Sequence, residues 1–242
     1  ALVRYDPDLV SQAWLRRYHS QRRYSLIGIA HASASTNAMQ AIGDYLAAPL
    51  QSWDALICPS AAIRSAVAHI IDGWGEYLGA RFGADLSCPV QLPVIPLGVD
   101  TARMATVTGE AKRQSQRRAL ALSDNEIAIL YVGRLNYVAK ANPLALFIAA
   151  EETAKRSSRP VRVLLNGYFN DDVNEDAFME AANAILDVAK LQIIRHGDED
   201  FPDGVWAAAD IFCSLSDNIQ ESFGLTPVEA MAAGLPSIVS DW

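Results

Sequence analysis

The chain has 242 residues, of which 51% are hydrophobic, and its formal net charge at pH 7 is −8. This length and composition are typical of an ordered globular protein with one large core or two modest ones, and they do not indicate disorder. The acidic balance argues against a nucleic-acid partner, whose phosphates require a basic surface, and favours work on small molecules.

Short apolar runs alternate with helical patterns along the chain. The runs predict buried strands at residues 25–30, 54–58, 92–96, 127–132, 161–166, 191–195, 210–215 and 236–240. Helices are predicted at residues 6–23, 60–82, 143–156 and 175–190. Continuous apolar strands joined by helical crossovers indicate parallel sheets covered on both faces, and therefore a doubly wound α/β fold.

Basic side chains gather in two places. The end of the first predicted helix carries Arg16, Arg17, Arg22 and Arg23. Cations suit this end of a helix dipole, so we expect a solvated helix end, with contact to an anionic lipid surface as the alternative. The polar stretch 100–125 carries Lys112, Arg113, Arg117 and Arg118, and we place a domain junction there.

The cysteine content, the lengths of the apolar runs and the first residues of the chain bear on where in the cell the protein works. The three cysteines, Cys58, Cys88 and Cys213, lack a C-x-x-C spacing, so they predict neither a disulfide framework nor a zinc site. No apolar run approaches the roughly 18 residues of a membrane span, and the first residues show no signal-peptide pattern. We expect a cytoplasmic protein, with peripheral contact at the inner membrane face as the alternative.

The stretch QESFGLTPVEAMAAGLP, residues 220–236, combines helix signals with carboxylates. Thr226 is predicted as the N-cap, Pro227 as the first helical residue and Glu229 as the partner in a capping box. Gly234 is predicted to end the helix, and Pro236 to start the next strand. The capping box gives Glu229 a purely structural explanation.

Glu221 and Gly224 are not explained by capping. Gly224 permits a tight turn whose N–H groups converge with the helix N-terminus, which is a favourable place for an anion. Glu221 and Glu229 flank this turn as hydrogen-bond acceptors. The pattern favours a ligand that carries both phosphates and hydroxyls.

The stretch YVGRLNYVAKANP, residues 131–143, supplies cations at the end of a predicted strand. Gly133 and Arg134 follow the strand directly, and Lys140 precedes the next helix. Open α/β sheets bind ligands outside the carboxyl ends of their strands. Either cation alone is more often a solvated surface residue, but together with the glycine turn they favour a binding site.

Four motifs in this order resemble a known family: IPLGVD (95–100), VGRL (132–135) with the later Lys140, AADIFCSLS (208–216) and ESFGLTPVEAMAAGLPSIVSD (221–241). They are similar to the retaining glycosyltransferases of the GT-B fold, in the group 1 family that includes sucrose synthases and bacterial mannosyl- and glucosyltransferases. The resemblance covers residues from about 96 onward well and residues 1–95 more loosely.

The resemblance implies two Rossmann-like doubly wound parallel-sheet domains, both incomplete in this chain. Residues 1–97 would be the C-terminal part of the N-terminal, acceptor-side domain. Residues 98–242 would be the larger part of the C-terminal nucleotide-sugar-binding domain. We therefore expect these residues to be the middle of a longer enzyme, whose turnover as this chain alone is open.

The resemblance also implies roles for individual residues. Glu221 would contact the hydroxyls of the donor sugar, Glu229 the nucleotide ribose, and Arg134 with Lys140 the diphosphate. His31 would reach the donor sugar, although a lone His after a strand is equally an ordinary loop residue. The remaining positions would complete the phosphate cradle with their backbone: Gly133, Phe223, Gly224, Leu225 and Thr226.

The activity implied is transfer of a hexose from a UDP-, GDP- or ADP-sugar to an unspecified sugar, lipid or small-molecule acceptor. The family retains anomeric configuration, without a metal, a covalently bound cofactor or an agreed enzymic nucleophile. Two alternatives stay open: a nucleotide-sugar-binding module without turnover, and a GT-B relative that catalyses epimerisation or phosphorolysis.

Three further signals receive a structural interpretation. Residues 198–200 have the D-x-D form of a metal site, but they lie in an acidic run typical of a solvated loop. Gly73 and Gly75 do not form a dinucleotide fingerprint, because Leu78 occupies the third glycine position. Three histidines without partners at ligand spacing are interpreted as structural: His19, His69 and His196.

Overall fold

A computed structural model describes residues 1–31, 33–137, 140, 142–195, 204–216 and 221–241. The chain divides into two compact units, Ala1–Leu97 with Ile219–Phe223 and Gly98–Asn218 with Gly224–Trp242. The strand pairs described in both units are parallel. The predicted α/β class with parallel sheets is therefore confirmed.

The first unit is a small parallel sheet with helical crossovers. Its elements in chain order are β1 (Leu2–Val3), α1 (Val10–Arg17), β2 (Leu26–Ile29), α2 (Thr36–Gly43), a 3-10 turn (Asp44–Leu46), β3 (Ala55–Ile57) and α3 (Ala61–Phe82). The strands lie in the order β1-β2-β3, with Ile27 beside Ala55. Apolar residues from strands and helices form one core, including Leu9, Leu26, Ile42, Leu56 and Val67.

The strand predicted at residues 92–96 is absent from the described elements. Gln91 and Val94 instead make isolated parallel bridges to Ala55 and Cys58. The Leu56 N–H donates to the Gln91 carbonyl at 2.9 Å, and the Cys58 N–H donates to the Pro93 carbonyl at 2.9 Å. Proline has no N–H to donate, so Pro93 interrupts the run of ladder bonds between this segment and β3.

The first helix is shorter than predicted, and one of its arginines is buried. Arg16, predicted to be solvated, is 0% exposed. Its guanidinium donates to both carboxylate oxygens of Asp54, at 2.6 and 2.7 Å. Asp54 also accepts the N–H groups of Leu26 and Gln51, each at 2.8 Å. The prediction for Arg16 was wrong because this carboxylate, directly before β3, requires a buried counter-charge.

The other three arginines of this region, Arg17, Arg22 and Arg23, are exposed as predicted.

The second unit is a five-stranded parallel sheet with helices on both faces. Its helices are α4 (Thr101–Val107), α5 (Glu110–Ala119), α6 (Leu144–Arg156), α7 (Asp172–Ile185), α8 (Val205–Ala208) and α9 (Leu225–Ala232). Its strands are β4 (Ile127–Val132), β5 (Val161–Gly167), β6 (Lys190–Arg195), β7 (Ile211–Ser214) and β8 (Ser237–Val239). They lie in the order β6-β5-β4-β7-β8.

Alternate residues of β4 enter different cores. Ile129 and Tyr131 pack in the cluster that contains residues of α6 and α7. Ala128 and Leu130 pack in the cluster that contains residues of α8 and α9. Successive side chains of a strand point to opposite faces, so the continuous apolar run of β4 reflects burial on both sides.

The helix predicted at residues 175–190 lies earlier in the chain. Asp171 is its N-cap and accepts the Asn174 N–H at 2.8 Å, so α7 begins at Asp172. After Ile185 the chain turns, and Glu151 of α6 accepts the N–H groups of residues 187–189. This carboxylate gives the loop its hydrogen-bond partners before β6 begins.

The order of the strands defines a switch point in the second unit. From β4 the chain proceeds through β5 and β6 on one side and returns through β7 and β8 on the other. In open α/β sheets, ligands bind outside the carboxyl ends of the strands where this reversal occurs. A ligand-binding site is therefore expected at the carboxyl ends of β4 and β7.

Within the described ranges, no helix combines the length and the apolar character needed to cross a membrane.

Candidate functional site

The chain leaves β4 through Gly133 and Arg134, at the switch point. The Gly133 N–H donates to the Asn166 carbonyl at 3.0 Å, and the Leu135 N–H donates to the Tyr168 carbonyl at 2.9 Å. Pairing on the β5 side thus continues past the end of β4. Because alternate residues of an extended chain point their backbone groups to opposite sides, the Arg134 N–H points away from this partner.

Two glycines make this connection compact. Gly133 has φ +153°, and its carbonyl oxygen packs against Gly167 at the end of β5. A Cβ at position 167 would collide with that oxygen and lie 3.0 Å from the Gly133 carbonyl carbon. The buried Tyr131 hydroxyl donates to the Arg134 carbonyl at 3.3 Å. The backbone of Arg134 is therefore held from both sides.

Lys140 lies in the same connection, between β4 and α6. Its N–H donates to the Asn136 carbonyl at 3.2 Å, and the residue is half-buried. The Asn142 side chain accepts the N–H of Leu144, the first residue of α6, at 3.0 Å. The structure therefore places both predicted cations, Arg134 and Lys140, on one segment at the carboxyl edge of β4.

The start of α9 differs from the predicted capping box. Gly224 is the N-cap, with φ +82° and ψ +70°, and as a glycine it makes no side-chain cap bond. Thr226 and Pro227 lie inside the first turn, and Glu229 is the fifth helical residue. First-turn residues need no intrahelical acceptor for their N–H groups, so Pro227 is tolerated there. The left-handed glycine starts the helix two residues earlier than predicted, so Thr226 and Glu229 do not occupy the N-cap and third helical positions that a capping box requires.

The end of α9 follows the prediction. Gly234 has φ +79°, its N–H donates to Met231 at 3.0 Å, and the Leu235 N–H donates to Ala230 at 2.9 Å. This pair of bonds is the Schellman motif that ends many helices at a glycine. Pro236 then precedes β8 and accepts a backbone bond from β7.

The N-terminus of α9 can attract an anion. The described part of its first turn contains no acidic side chain. The N–H groups at Leu225 and Thr226 carry the positive end of the helix dipole, and Pro227 contributes none. The switch point lies between β4 and β7, which are neighbours in the sheet. Arg134 follows β4 in the chain, and α9 is the next described helix after β7. Cations and amide donors are the groups that bind phosphates.

The predicted site residues are divided between the two units. The second unit contains Gly133, Arg134, Lys140, Gly224, Leu225, Thr226 and Glu229. The first unit contains His31, Glu221 and Phe223. His31 is exposed and lies two residues after the end of β2, Glu221 is exposed, and Phe223 is half-buried.

One contact of the first unit had no sequence signal. The Ser60 hydroxyl donates to the Ser222 carbonyl at 2.7 Å, across 162 positions of sequence. Ser60 was predicted only as the first residue of the helix at 60–82, and in the structure it is the N-cap of α3 and accepts the Ile63 N–H at 3.2 Å. Long-range bonds of a hydroxyl to a backbone carbonyl leave no periodic pattern in a sequence.

Two of the cations of stretch 100–125 have a structural role. Arg113 and Arg117 contact the Asp210 carboxylate at 2.6 and 3.2 Å, and the Ala128 N–H donates to it at 2.8 Å. Burial alone raises the pKa of Asp210, but the Ala128 bond and the two guanidinium groups outweigh burial and lower that pKa. Asp210 precedes β7, so this network lies at the opposite end of the strand from the switch point.

The predictions for the D-x-D stretch and for the histidines fall partly outside the residues that the structure describes. Residues 198–200 and His196 lie outside the described residues. In the described ranges, no three His, Cys, Asp or Glu side chains converge as a metal site. The His69 ring contacts the Ser65 carbonyl at 2.8 Å, one turn earlier in α3.

The family of the chain is identified from a sequence match that lies mainly in the second unit. Residues 112–242 match the model of the family described as Glycosyl transferases group 1. The chain belongs to the group 1 glycosyltransferases. This confirms the resemblance inferred from the four motifs, and the match includes both the Gly133–Lys140 connection and α9.

Curated relatives of this glycosyltransferase carry one description. The D-inositol 3-phosphate glycosyltransferase of Rhodococcus erythropolis is 30% identical over 162 residues, covering 66% of this chain and 34% of the relative. That of Corynebacterium urealyticum is 26% identical over 186 residues, covering 76% and 43%. The chain thus spans between a third and a half of the length of these relatives.

Solved structures share the fold of this glycosyltransferase. Anabaena HepE in complex with UDP superimposes with a TM-score of 0.67 at 17% identity, covering 96% of this chain and 57% of that one. The α,α-trehalose-phosphate synthase (UDP-forming) of Burkholderia vietnamiensis gives a TM-score of 0.67 at 16% identity, covering 98% and 56%. The chain has the GT-B fold and covers somewhat more than half of each neighbour.

Proposed function

We propose that this glycosyltransferase transfers a hexose from a nucleotide-diphosphate sugar to a hydroxylated acceptor, with retention of anomeric configuration and without a metal. The observation that carries the proposal is the position of Gly133 and Arg134 at the switch point of a group 1 glycosyltransferase domain. In this proposal residues 98–242 bind the nucleotide sugar, and residues 1–97 serve the acceptor side.

The diphosphate would be held by cations and backbone amides. Breaking the bond between the anomeric carbon and the diphosphate oxygen puts positive charge on the sugar and negative charge on the leaving group. Arg134 and Lys140 would stabilise that negative charge, and the amides at Gly224 and the start of α9 would add neutral donors. Preorganised donors aimed at developing charge lower the barrier without a reorganisation cost.

The carboxylates would position the donor. Glu229 is the fifth residue of α9, and its carboxylate would accept hydrogen bonds from the hydroxyls of the nucleotide ribose. Glu221 and His31 would contact the donor sugar. The acceptor hydroxyl would attack on the face that the diphosphate leaves, and its proton would pass to a phosphate oxygen, so configuration is retained with no enzymic nucleophile.

Relatives and neighbours suggest which substrates to test first. HepE is described in complexes with UDP and with UDP-glucose, so a UDP-sugar is the first donor. The curated relatives are described as acting on D-inositol 3-phosphate. We propose an acceptor of that kind, a small polyol or sugar that carries a phosphate.

Ligand-dependent stability tests the proposal. UDP, GDP and ADP would each be added to the chain with and without their hexose, and the melting temperature would be measured. A ligand at 100 times its Kd adds about 2.7 kcal/mol of stability. We expect one base to stabilise the chain clearly and its sugar form to do so as well. A panel in which no nucleotide raises the melting temperature would overturn the proposal.

Transfer itself needs a second assay. Incubation with the stabilising nucleotide sugar and a polyol phosphate should release the nucleoside diphosphate, detected by a coupled assay. Binding without release, even from radiolabelled donor, would instead support a nucleotide-sugar-binding module.

A further inference from the structure

The Ser60 hydroxyl joins two segments that are distant in sequence. It accepts the Ile63 N–H at 3.2 Å as the N-cap of α3, and it donates to the Ser222 carbonyl at 2.7 Å. Both segments belong to the first unit. A serine hydroxyl has one proton to donate and two lone pairs that accept. Because the cap uses an acceptor position, the same side chain can satisfy both partners at once.

The carbonyl that Ser60 binds lies among the residues predicted to contact the donor. Ser222 stands between Glu221 and Phe223 and only two residues before Gly224. Gly224 has φ +82°, and a glycine loses more conformational freedom on folding than any other residue. The peptides before it therefore need an external contact to fix their direction.

We propose that Ser60 is a positioning residue for the donor substrate. Its hydroxyl orders the backbone of residues 221–223, and so it holds Glu221 and the approach to the Gly224 turn in the binding geometry before the ligand arrives. A segment that is ordered in advance loses less entropy when it binds, and the gain appears as affinity. This inference rests on the proposed function, because it assumes that the segment contacts a nucleotide sugar.

The chain offers a matched control for the loss of the cap. Ser35 is the N-cap of α2 and accepts the Ala38 N–H at 3.2 Å, the same length as the cap bond of Ser60. Glycine replaces serine at an N-cap at a cost of only a few tenths of a kcal/mol. Ser60→Gly and Ser35→Gly therefore remove equivalent cap bonds, and only Ser60→Gly removes the bond to Ser222.

Two further variants separate donation from capping. Ser60→Thr keeps a hydroxyl that can both cap and donate, so it should behave as the wild type. Ser60→Asp keeps a capping acceptor but has no proton to donate at neutral pH, so it should behave as Ser60→Gly. Agreement between Ser60→Gly and Ser60→Asp would rule out a defect of α3 as the cause.

The first readout needs no ligand. Hydrogen exchange of the amides of residues 222–225 would be measured in the unliganded chain. We expect exchange to be about fivefold faster in Ser60→Gly and Ser60→Asp, the factor that one net hydrogen bond is worth. Ser35→Gly and Ser60→Thr should match the wild type. Unchanged exchange in Ser60→Gly would overturn the inference.

The second readout is affinity for UDP-glucose, or for the donor that stabilises the chain best. Ser60→Gly should bind it about fivefold more weakly, and Ser35→Gly should bind it as the wild type does. Faster exchange with unchanged affinity would overturn the positioning role. A wild-type chain that binds no nucleotide sugar would instead overturn the proposed function, while hydrogen exchange would still decide whether Ser60 orders this segment.

Discussion

The carbonyl oxygen of Gly133 packs against the Cα of Gly167, so that a side chain at position 167 would collide with the backbone that carries Arg134. Gly167→Ala should therefore displace this connection. Overpacking of this kind costs about 1–3 kcal/mol, and we expect weaker nucleotide binding in addition. Urea unfolding and titration with UDP would measure the two effects.

Gly73→Ala is the control for that substitution. Among the described residues, no heavy atom beyond the neighbouring residues and the local backbone of α3 lies within 4 Å of a Cβ placed on Gly73, which is inside that helix. Alanine should stabilise the helix there by about 0.5–1 kcal/mol and leave nucleotide binding unchanged. If Gly167→Ala proved as harmless as Gly73→Ala, the described packing of Gly133 would be wrong.

The two glycines that flank α9 allow a second paired test. Gly224 and Gly234 have nearly equal φ values, +82° and +79°. Alanine in this left-handed region costs about 1–2 kcal/mol, so both Gly224→Ala and Gly234→Ala should destabilise the chain to a similar degree. Only Gly224→Ala should weaken UDP binding in calorimetry. Equal losses of affinity in the two variants would show that the turn has no special role.

The buried pair of Arg16 and Asp54 predicts an effect on stability alone. Arg16→Met leaves the Asp54 carboxylate buried without its counter-charge, and breaking such a pair costs about 3–5 kcal/mol. Denaturant unfolding followed by fluorescence would measure the loss. Arg22→Met is the exposed control and should change stability by less than about 0.5 kcal/mol. A loss in Arg16→Met that is no larger than in the control would contradict the pairing.

Asp210 predicts a dependence on pH. Its pKa is lowered in the folded chain, so its ionised form stabilises the fold above the pKa of the unfolded state. That contribution is lost as the pH falls below about 4 and through the lower folded pKa. Melting temperatures measured from neutral to acidic pH should fall less steeply for Asp210→Asn than for the wild type, although Asp210→Asn starts from a lower value. Parallel curves would contradict the lowered pKa.

The central strands of the second unit, β4 and β5, were well predicted by the sequence because burial on both faces gives them a continuous apolar run, whereas the short exposed strand β1 was not predicted. Residues 127–132 were predicted to their last residue as β4. The pattern failed at residues 92–96, where apolar residues are present but proline removes a ladder donor. Hydrophobic periodicity reports burial, and pairing depends in addition on which N–H groups exist.

The ends of α9 show where local signals mislead. Thr226, Pro227 and Glu229 match a capping box, yet the helix begins at Leu225, because Gly224 adopts a left-handed conformation that residues other than glycine adopt only at a cost. The end at Gly234 was predicted correctly, since there the glycine is the signal itself. The capping pattern and the glycine turn predict different first residues for the same helix, and the sequence alone does not show which prediction is correct.

Charge was predicted least well. Arg16 and Arg117 look like members of solvated clusters, but both are buried against carboxylates that lie 38 and 93 positions away. Ser60 and Ser222 are farther apart still. These contacts depend on tertiary structure, and nothing in the local spacing of the residues indicates them. The predicted cations of the site, Arg134 and Lys140, differ because a strand end and a glycine mark their position.

The most direct measurement compares UDP with uridine in the wild type, Arg134→Met and Lys140→Met. The two ligands differ only in the diphosphate, so the difference between their affinities isolates the contact with it. We predict that the wild type binds UDP much more tightly than uridine and that each variant weakens UDP binding while leaving uridine binding unchanged. UDP affinities that are equal in the wild type and in both variants would contradict the assignment of the diphosphate to these residues.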